Sequence, residues 1–484
     1  MRKLFGIAAA LMLALTAVSF VGAQDATATA PSDGVNVTIY NQGTALVQDR
    51  RTFTLQQGAN TLNFTDVAAS IDATSVSFKS LTDPKGTVVL EQNYVYDLVG
   101  SAALLTRYID QQVEITAADG TTFKGQLLSG RNGEVILRQA DGQVVVVSLA
   151  NARDIRFPAL PEGLITRPTL RWLLQSAKSG AQQVELTYLT GGINWSADYI
   201  LLLAAGNKSL DLNGWVTLNN TSGAAFKNAK VKLVAGDINR LPQESGLAGR
   251  QEAAPIVADA AAPPQVQQRD FSEYKLYEVQ RPVTIGDNET KQVEFVTSAN
   301  VPATTFFVFD ASTPFYGYYN PIIDQYYGPS GITTVQNWLE FSTGEEGGAN
   351  AALPAGRVRV YQQDTDGAAL LIGENQIKHT AKGEQVRLYL GNAFDLVGER
   401  KQTNFQLIGQ KVLEETYEIR LRNRKDKDAV QIRVPERLFR WSNWQILNAS
   451  MDYTKLDSST IEFRADVAAG EEKVITYTVR YSWP

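Results

Sequence analysis

Ile475-Thr-Tyr-Thr-Val-Arg-Tyr-Ser-Trp483 is the stretch on which the fold is read. Ile475, Tyr477, Val479, Tyr481 and Trp483 alternate with Thr476, Thr478, Arg480 and Ser482, and in an extended chain successive side chains point to opposite faces. One face is apolar and the other polar, as in a half-buried strand of an antiparallel sheet with one side on a core. The alternation recurs in Val184, Leu186 and Tyr188, in Val386, Leu388 and Leu390, and in Tyr417, Ile419 and Leu421. It predicts a mostly β protein. The clearest helix is short, from Thr169 to Ser176, where Leu170, Leu173 and Leu174 fall at helical spacing after Pro168.

Turn chemistry divides the chain. Residues 35–100 read as an N-terminal β unit, with Val37, Ile39, Phe53, Leu62, Phe64, Val76 and Phe78 as its core. From 104 to 158, strands Val113–Thr116, Thr122–Leu128, Glu134–Arg138, Val144–Ser148 and Ile155–Phe157 follow one another. Asp119-Gly120, Asn132-Gly133 and Asp141-Gly142 join the first four, and such pairs supply the positive φ angles of two-residue hairpin turns. Five short strands so joined predict a small SH3-like or Sm-like barrel. Residues 159–180 form a connector containing the short helix, and 181–484 a large antiparallel β-sandwich region. Within that region 243–268 is rich in Ala, Pro, Gln and Glu without periodicity, and reads as a mobile insert.

The N-terminus reads as an address. Arg2 and Lys3 precede an apolar run from Leu4 to Val21, and Val21-Gly22-Ala23 offers the small residues a signal peptidase requires, so 1–23 reads as a signal peptide and 24–34 as a disordered leader. An uncleaved anchor is the other reading of the run, which is long enough to span a bilayer. No later apolar stretch reaches that length, so no transmembrane segment is expected after cleavage. Losing Arg2 and Lys3 takes the net charge from −6 to −8. An acidic exported chain is a poor partner for nucleic acid.

Several segments resemble a known family. Leu186-Thr-Tyr-Leu-Thr-Gly-Gly-Ile-Asn-Trp-Ser-Ala-Asp-Tyr199, Leu212-Asn-Gly-Trp-Val-Thr-Leu-Asn-Asn-Thr-Ser-Gly223 and Ala229-Lys-Val-Lys-Leu-Val-Ala-Gly-Asp237 resemble the DUF4139 domain of the mucoidy-inhibitor-like proteins. Tyr274–Val283, Asp287–Lys291, Gly356–Tyr361 and Gly391–Asp395 extend the match, and Val35–Ser80 resembles more weakly that family's N-terminal domain. The resemblance implies a β-sandwich, export and a bacterial host. It implies no established reaction, so no catalytic residue is carried over. Where many relatives place a long coiled coil, this chain has the small barrel and the short helix.

The chain has no cysteine and one histidine, His379. Thiol nucleophiles, Cys-ligated metals and zinc sites needing two imidazoles are thereby excluded. No G-x-S-x-G elbow, Walker loop or H-E-x-x-H motif occurs. His379 reads as an exposed turn residue, the competing reading being a base oriented by Glu374 or Asp395. Asp364-Thr-Asp-Gly367 mimics a calcium loop, but Gln362 and Gly373 stand where ligands are required, so Asp366-Gly367 reads as a hairpin turn. No metal, organic cofactor or catalytic residue is expected.

One cluster stands out for binding. Phe315, Tyr316, Tyr318, Tyr319, Tyr326 and Tyr327 are interleaved with Pro314, Gly317, Pro321 and Gly328. Tyrosine offers a flat apolar body with a polar tip, which suits sugar stacking or a wet protein interface; the reading favoured over that one is a connector packing its rings on the sandwich. The expected function is that of a non-enzymatic, exported cell-envelope module that binds or scaffolds a protein or polysaccharide. The alternative is a carbohydrate-active enzyme using an Asp/Glu pair near the tyrosine-rich loop.

Overall fold

The computed structural model describes residues 24–26, 34–96, 100–159, 165–236, 266–313, 317, 319–328, 330–364 and 366–484. The signal segment, leader residues 27–33, insert residues 243–265 and the rings of Phe315, Tyr316 and Tyr318 lie outside them. The protein is mostly β. Among the described residues no helix is long and apolar enough to cross a membrane. The described residues fall into two compact units, one within Met1–Asn194, Asn219–Lys232 and Arg281–Glu289, the other within Trp195–Leu218, Leu233–Gln280 and Thr290–Pro484.

In the first unit, Ser77–Ser80, Gly180–Gly191, Thr44–Leu55 and Val35–Tyr40 lie side by side in that order. Val37, Ile39 and Phe53, expected in the core, and Val184 and Leu186, expected inward from their alternation, are buried along them together with Val47. Gly180–Gly191 pairs antiparallel with Thr44–Leu55 through twelve residues. The first strand of the sandwich region is therefore held by N-terminal residues, and a boundary near 181 runs through a sheet.

A second sheet orders Gln24–Ala26, Gly58–Thr65, Thr169–Ser176 and Thr87–Val95. Two expectations are corrected by it. Gln24–Ala26, read as disordered leader, pairs in parallel with Asn60, Thr61 and Leu62. Thr169–Ser176, read as a helix, is a central strand bonded on one side to Gly58–Thr65 and on the other to Thr87–Val95. Leu170, Trp172 and Leu174 are buried while Arg171 and Gln175 are exposed, which is a period of two. A central strand gains hydrogen bonds on both edges, and the two flanking strands offer these residues that pairing. Phe64 of this sheet meets Phe53 of the other at a ring separation of 5.9 Å and Trp172 meets Phe78 at 5.2 Å, closing the core between them.

The five expected strands of 104–158 form one sheet, in the order Val144–Ser148, Glu134–Arg138, Thr122–Ser129, Gln112–Ala117 and Ala152–Arg156. The turn residues Gly120, Asn132, Gly133 and Gly142 take φ from 58° to 89°. The sheet is not closed into a barrel, which corrects that expectation. Only three residues, the 3-10 turn Leu149–Asn151, separate the two end strands, and they carry the chain around the corner without pairing its flanks. A helix that periodicity did not reveal, Ser101–Arg107, covers the open core with Leu105, beside the buried Tyr108 that follows it.

The second unit is built on a long sheet in which Gln385–Ile408, Val412–Asn423 and Glu472–Ser482 are consecutive neighbours. Val430–Arg437 and Thr460–Val467 form a facing layer. Tyr417, Ile419, Leu421, Ile475, Tyr477, Val479 and Tyr481 from one layer pack on Ile432, Val434, Ile461, Phe463 and Ala465 from the other, a sandwich core. The pairing is not wholly antiparallel. Ile193–Leu203 runs parallel to Gly356–Gln363, which the long intervening chain allows. Val266, Gln267 and Gln268, read as the end of the mobile insert, belong to strand Val266–Phe271 paired with Tyr274–Val279.

Candidate functional site

The tyrosine-bearing connector joins strands Glu289–Val308 and Thr334–Ser342 of the second unit. Its entry is fixed by Asp310, whose two carboxylate oxygens accept from Arg437 Nη1 at 2.7 Å and Nη2 at 2.8 Å. Its middle is fixed by Arg440, 1% exposed, whose Nη1 donates to the carbonyls of Ile322 at 2.9 Å and Asp324 at 2.8 Å. The Ile322 N–H returns to the Arg440 carbonyl at 3.1 Å. Asp324 then accepts from the Tyr326 N–H at 2.9 Å and sets a turn.

That frame aims the rings outward. Tyr319 is 90% and Tyr326 88% exposed, while Tyr327, 47% exposed, lies over Phe439 with ring centroids 5.7 Å apart. One of the three described tyrosines thus packs partly on the sandwich and two face solvent. Gly328 takes φ +122°, and a Cβ there would stand 2.6 Å from Thr313 Oγ1, so only glycine lets the connector close behind Tyr327.

Beneath the connector the core carries charge. Arg440 Nε donates to Glu415 Oε2 at 2.6 Å, with both side chains almost fully buried. The same oxygen accepts from Tyr417 Oη at 2.9 Å and Gln402 Nε2 at 3.1 Å. A second pair joins Arg400 to the fully buried Glu436 at 2.8 Å, with Tyr477 Oη also donating to Glu436 and the Arg400 guanidinium 3.6 Å over the Tyr417 ring. Burial alone would pull Arg400 down, but the Glu436 carboxylate holds it well above its ordinary range. Burial, then the Glu415 charge, pushes the Tyr417 hydroxyl up from 10.0 to about 12.

This sets an alkaline limit. A hydroxyl whose folded pKa lies above its unfolded value contributes stability that is complete below the unfolded pKa and lost as pH rises. Tyr417 alone is expected to remove about 2–3 kcal/mol between pH 10 and pH 12. Urea midpoints measured across that window should fall; a flat profile would contradict the burial of this hydroxyl.

The remaining sequence candidates are structural. His379 is exposed and its Nδ1 accepts the Ala355 N–H at 3.0 Å, while Glu374 pairs with Arg359 at 2.8 Å. Asp364 and Gly367 close a hairpin turn, with Gly367 at φ +90°. Among the described residues no group of three acidic or histidine side chains could hold a metal ion. Sequence reasoning missed Asp310, Arg437, Arg440 and Glu415, since what marks them is contacts distant in the chain. It also missed a cleft of about 800 Å³ in the first unit, where Arg51 meets Asp49 at 2.7 Å and Arg167 meets Asp66 at 2.6 Å.

None of the curated proteins matches the chain. A family model matches residues 184–484, which span the sandwich, its connector and both buried ion pairs. The chain is therefore a member of the family defined by the domain of unknown function DUF4139.

Proposed function

We propose that the protein is an exported, bacterial cell-envelope module that binds or scaffolds a protein or polysaccharide through its tyrosine-bearing connector. The observation that carries this reading is the pairing of outward rings with a rigid base. Tyr319 and Tyr326 lie almost fully in solvent, on a segment whose backbone is bonded to a buried arginine. Exposed aromatic rings held in place lose little freedom on binding, which is how aromatic anchors act at interfaces. Export rests on the basic start, apolar run and Val21-Gly22-Ala23 site, and the acidic balance speaks against nucleic acid.

The nearby carboxylates support binding without turnover. Asp310 is held by Arg437, Glu415 is buried on Arg440, and Asp324 serves its own turn. A glycosidase needs one free acid and one free base facing the same bond. The test is retention on immobilised envelope polysaccharides and envelope proteins. The protein should be retarded with no new reducing ends released; release of products would favour a carbohydrate-active enzyme.

A further inference from the structure

The five-stranded sheet of the first unit has two unlike edges. On one, Ala152–Arg156 carries Arg153, Asp154 and Arg156, and Arg153 and Arg156 pair with Asp154 and Glu114 at 3.2 and 3.4 Å. Charges on an edge resist pairing with another chain. On the other, Gln143-Val-Val-Val-Val-Ser148 has no charged residue, no proline and no bulge, and the whole stretch between Asp141 and Arg153 is uncharged. Val144 and Val146 are 57% and 56% exposed, while Val147 faces the core.

The register identifies which backbone groups are free. The hairpin closes with the Gln139 N–H on the Gln143 carbonyl, and the Leu149 N–H reaches Gly133 at the far end. Hydrogen-bonded pairs alternate in an antiparallel ladder, so Val145 and Val147 bond to Leu137 and Val135. Val144, Val146 and Ser148 therefore point their N–H and C=O groups away from the sheet. Among the described residues no strand pairs with that edge.

We propose that this edge pairs antiparallel with the same edge of a second copy, with Val146 opposite Val146 on the two-fold axis. In that register Val144 faces Ser148, and every outward residue of one strand meets an outward residue of the other. Three reciprocal pairs give six new N–H···O bonds. No register shifted along the strand uses all three residues on both copies. The exposed face agrees. Arg138 lies opposite Val144 and Glu134 opposite Ser148, so each flanking row across the two copies begins on an arginine and ends on a glutamate. The contact is isologous, so it closes at a dimer and leaves the charged edges outside.

The absence of native cysteine makes the test direct. In the proposed register Val146→Cys puts two thiols on residues whose Cα atoms are about 5.5 Å apart, inside the span of a disulfide. The full chain carrying it should form a covalent dimer on mild oxidation. Val144→Cys should not, because its two copies lie four residues apart along the strand, roughly 13 Å. Sedimentation of the parent chain should show a concentration-dependent dimer, and Val144→Lys with Val146→Lys should abolish it. Its melting temperature should stay unchanged, since both side chains face solvent. A parent chain that sediments as a monomer at every concentration would overturn the proposal. So would cysteines at 144 and 146 that link equally well, or a head-to-tail ladder in which Val146→Cys does not link.

Discussion

Arg440→Ala is expected to lower the unfolding free energy by about 3–5 kcal/mol, the usual consequence of leaving one partner of a buried ion pair without the other. Glu415 and Arg440 are 0% and 1% exposed, and the alanine would strand a carboxylate among Tyr417, Gln402 and apolar side chains. The carbonyls of Ile322 and Asp324 would lose their donor as well. Two readouts follow. The urea midpoint should fall, and amide exchange around Ile322–Tyr327 should quicken beyond what global destabilisation explains. Arg440→Met combined with Glu415→Leu should recover part of the stability, because removing both charges leaves no unpaired ion, but it should not restore slow exchange in the connector. A loss below about 1 kcal/mol for Arg440→Ala, a value typical of an exposed pair, would refute the burial argument.

Trp172→Ala is expected to cost about 3–5 kcal/mol, as truncation of a fully buried aromatic ring does. Trp172 is 0% exposed, its ring meets Phe64 and Phe78, and its Nε1 donates to Gln92 at 2.9 Å. Leu173→Ala, at a half-buried position, should cost clearly less. The comparison separates the two secondary structures that this segment's residues allow. Were 169–176 a helix with Leu170, Leu173 and Leu174 inward, Leu173 would be the costly position and Trp172 the tolerant one. Thermal or urea denaturation of the two variants decides it.

That segment also shows where single-sequence reading stops. Val184, Leu186 and Tyr188, like Ile475, Tyr477, Val479 and Tyr481, are buried as their alternation requires, because period two has one geometric meaning when the intervening residues are polar. Leu170, Arg171, Trp172, Leu173 and Leu174 satisfy both periods at once. What chose the strand was the presence of Gly58–Thr65 and Thr87–Val95 on either side, a tertiary fact. The hairpin turns of 112–148 were legible from Asp-Gly and Asn-Gly pairs, whereas the failure to close a barrel depended on how Leu149–Asn151 turns. The tyrosines announced themselves by composition. Arg440 did not, for its value lies in carbonyls more than a hundred residues earlier.

The central claim is that the connector is a recognition surface, and the measurement that tests it is binding set beside melting temperature for Tyr319→Ala with Tyr326→Ala. Binding would be read as retention on the immobilised envelope polysaccharide or protein that holds the parent chain. Because both rings lie in solvent, the account predicts that affinity weakens by about 1–3 kcal/mol or more, as at an interface hot spot, while the melting temperature stays within error. Undiminished retention by the double variant, with or without a fall in melting temperature, would contradict the account and remove the connector as the binding site.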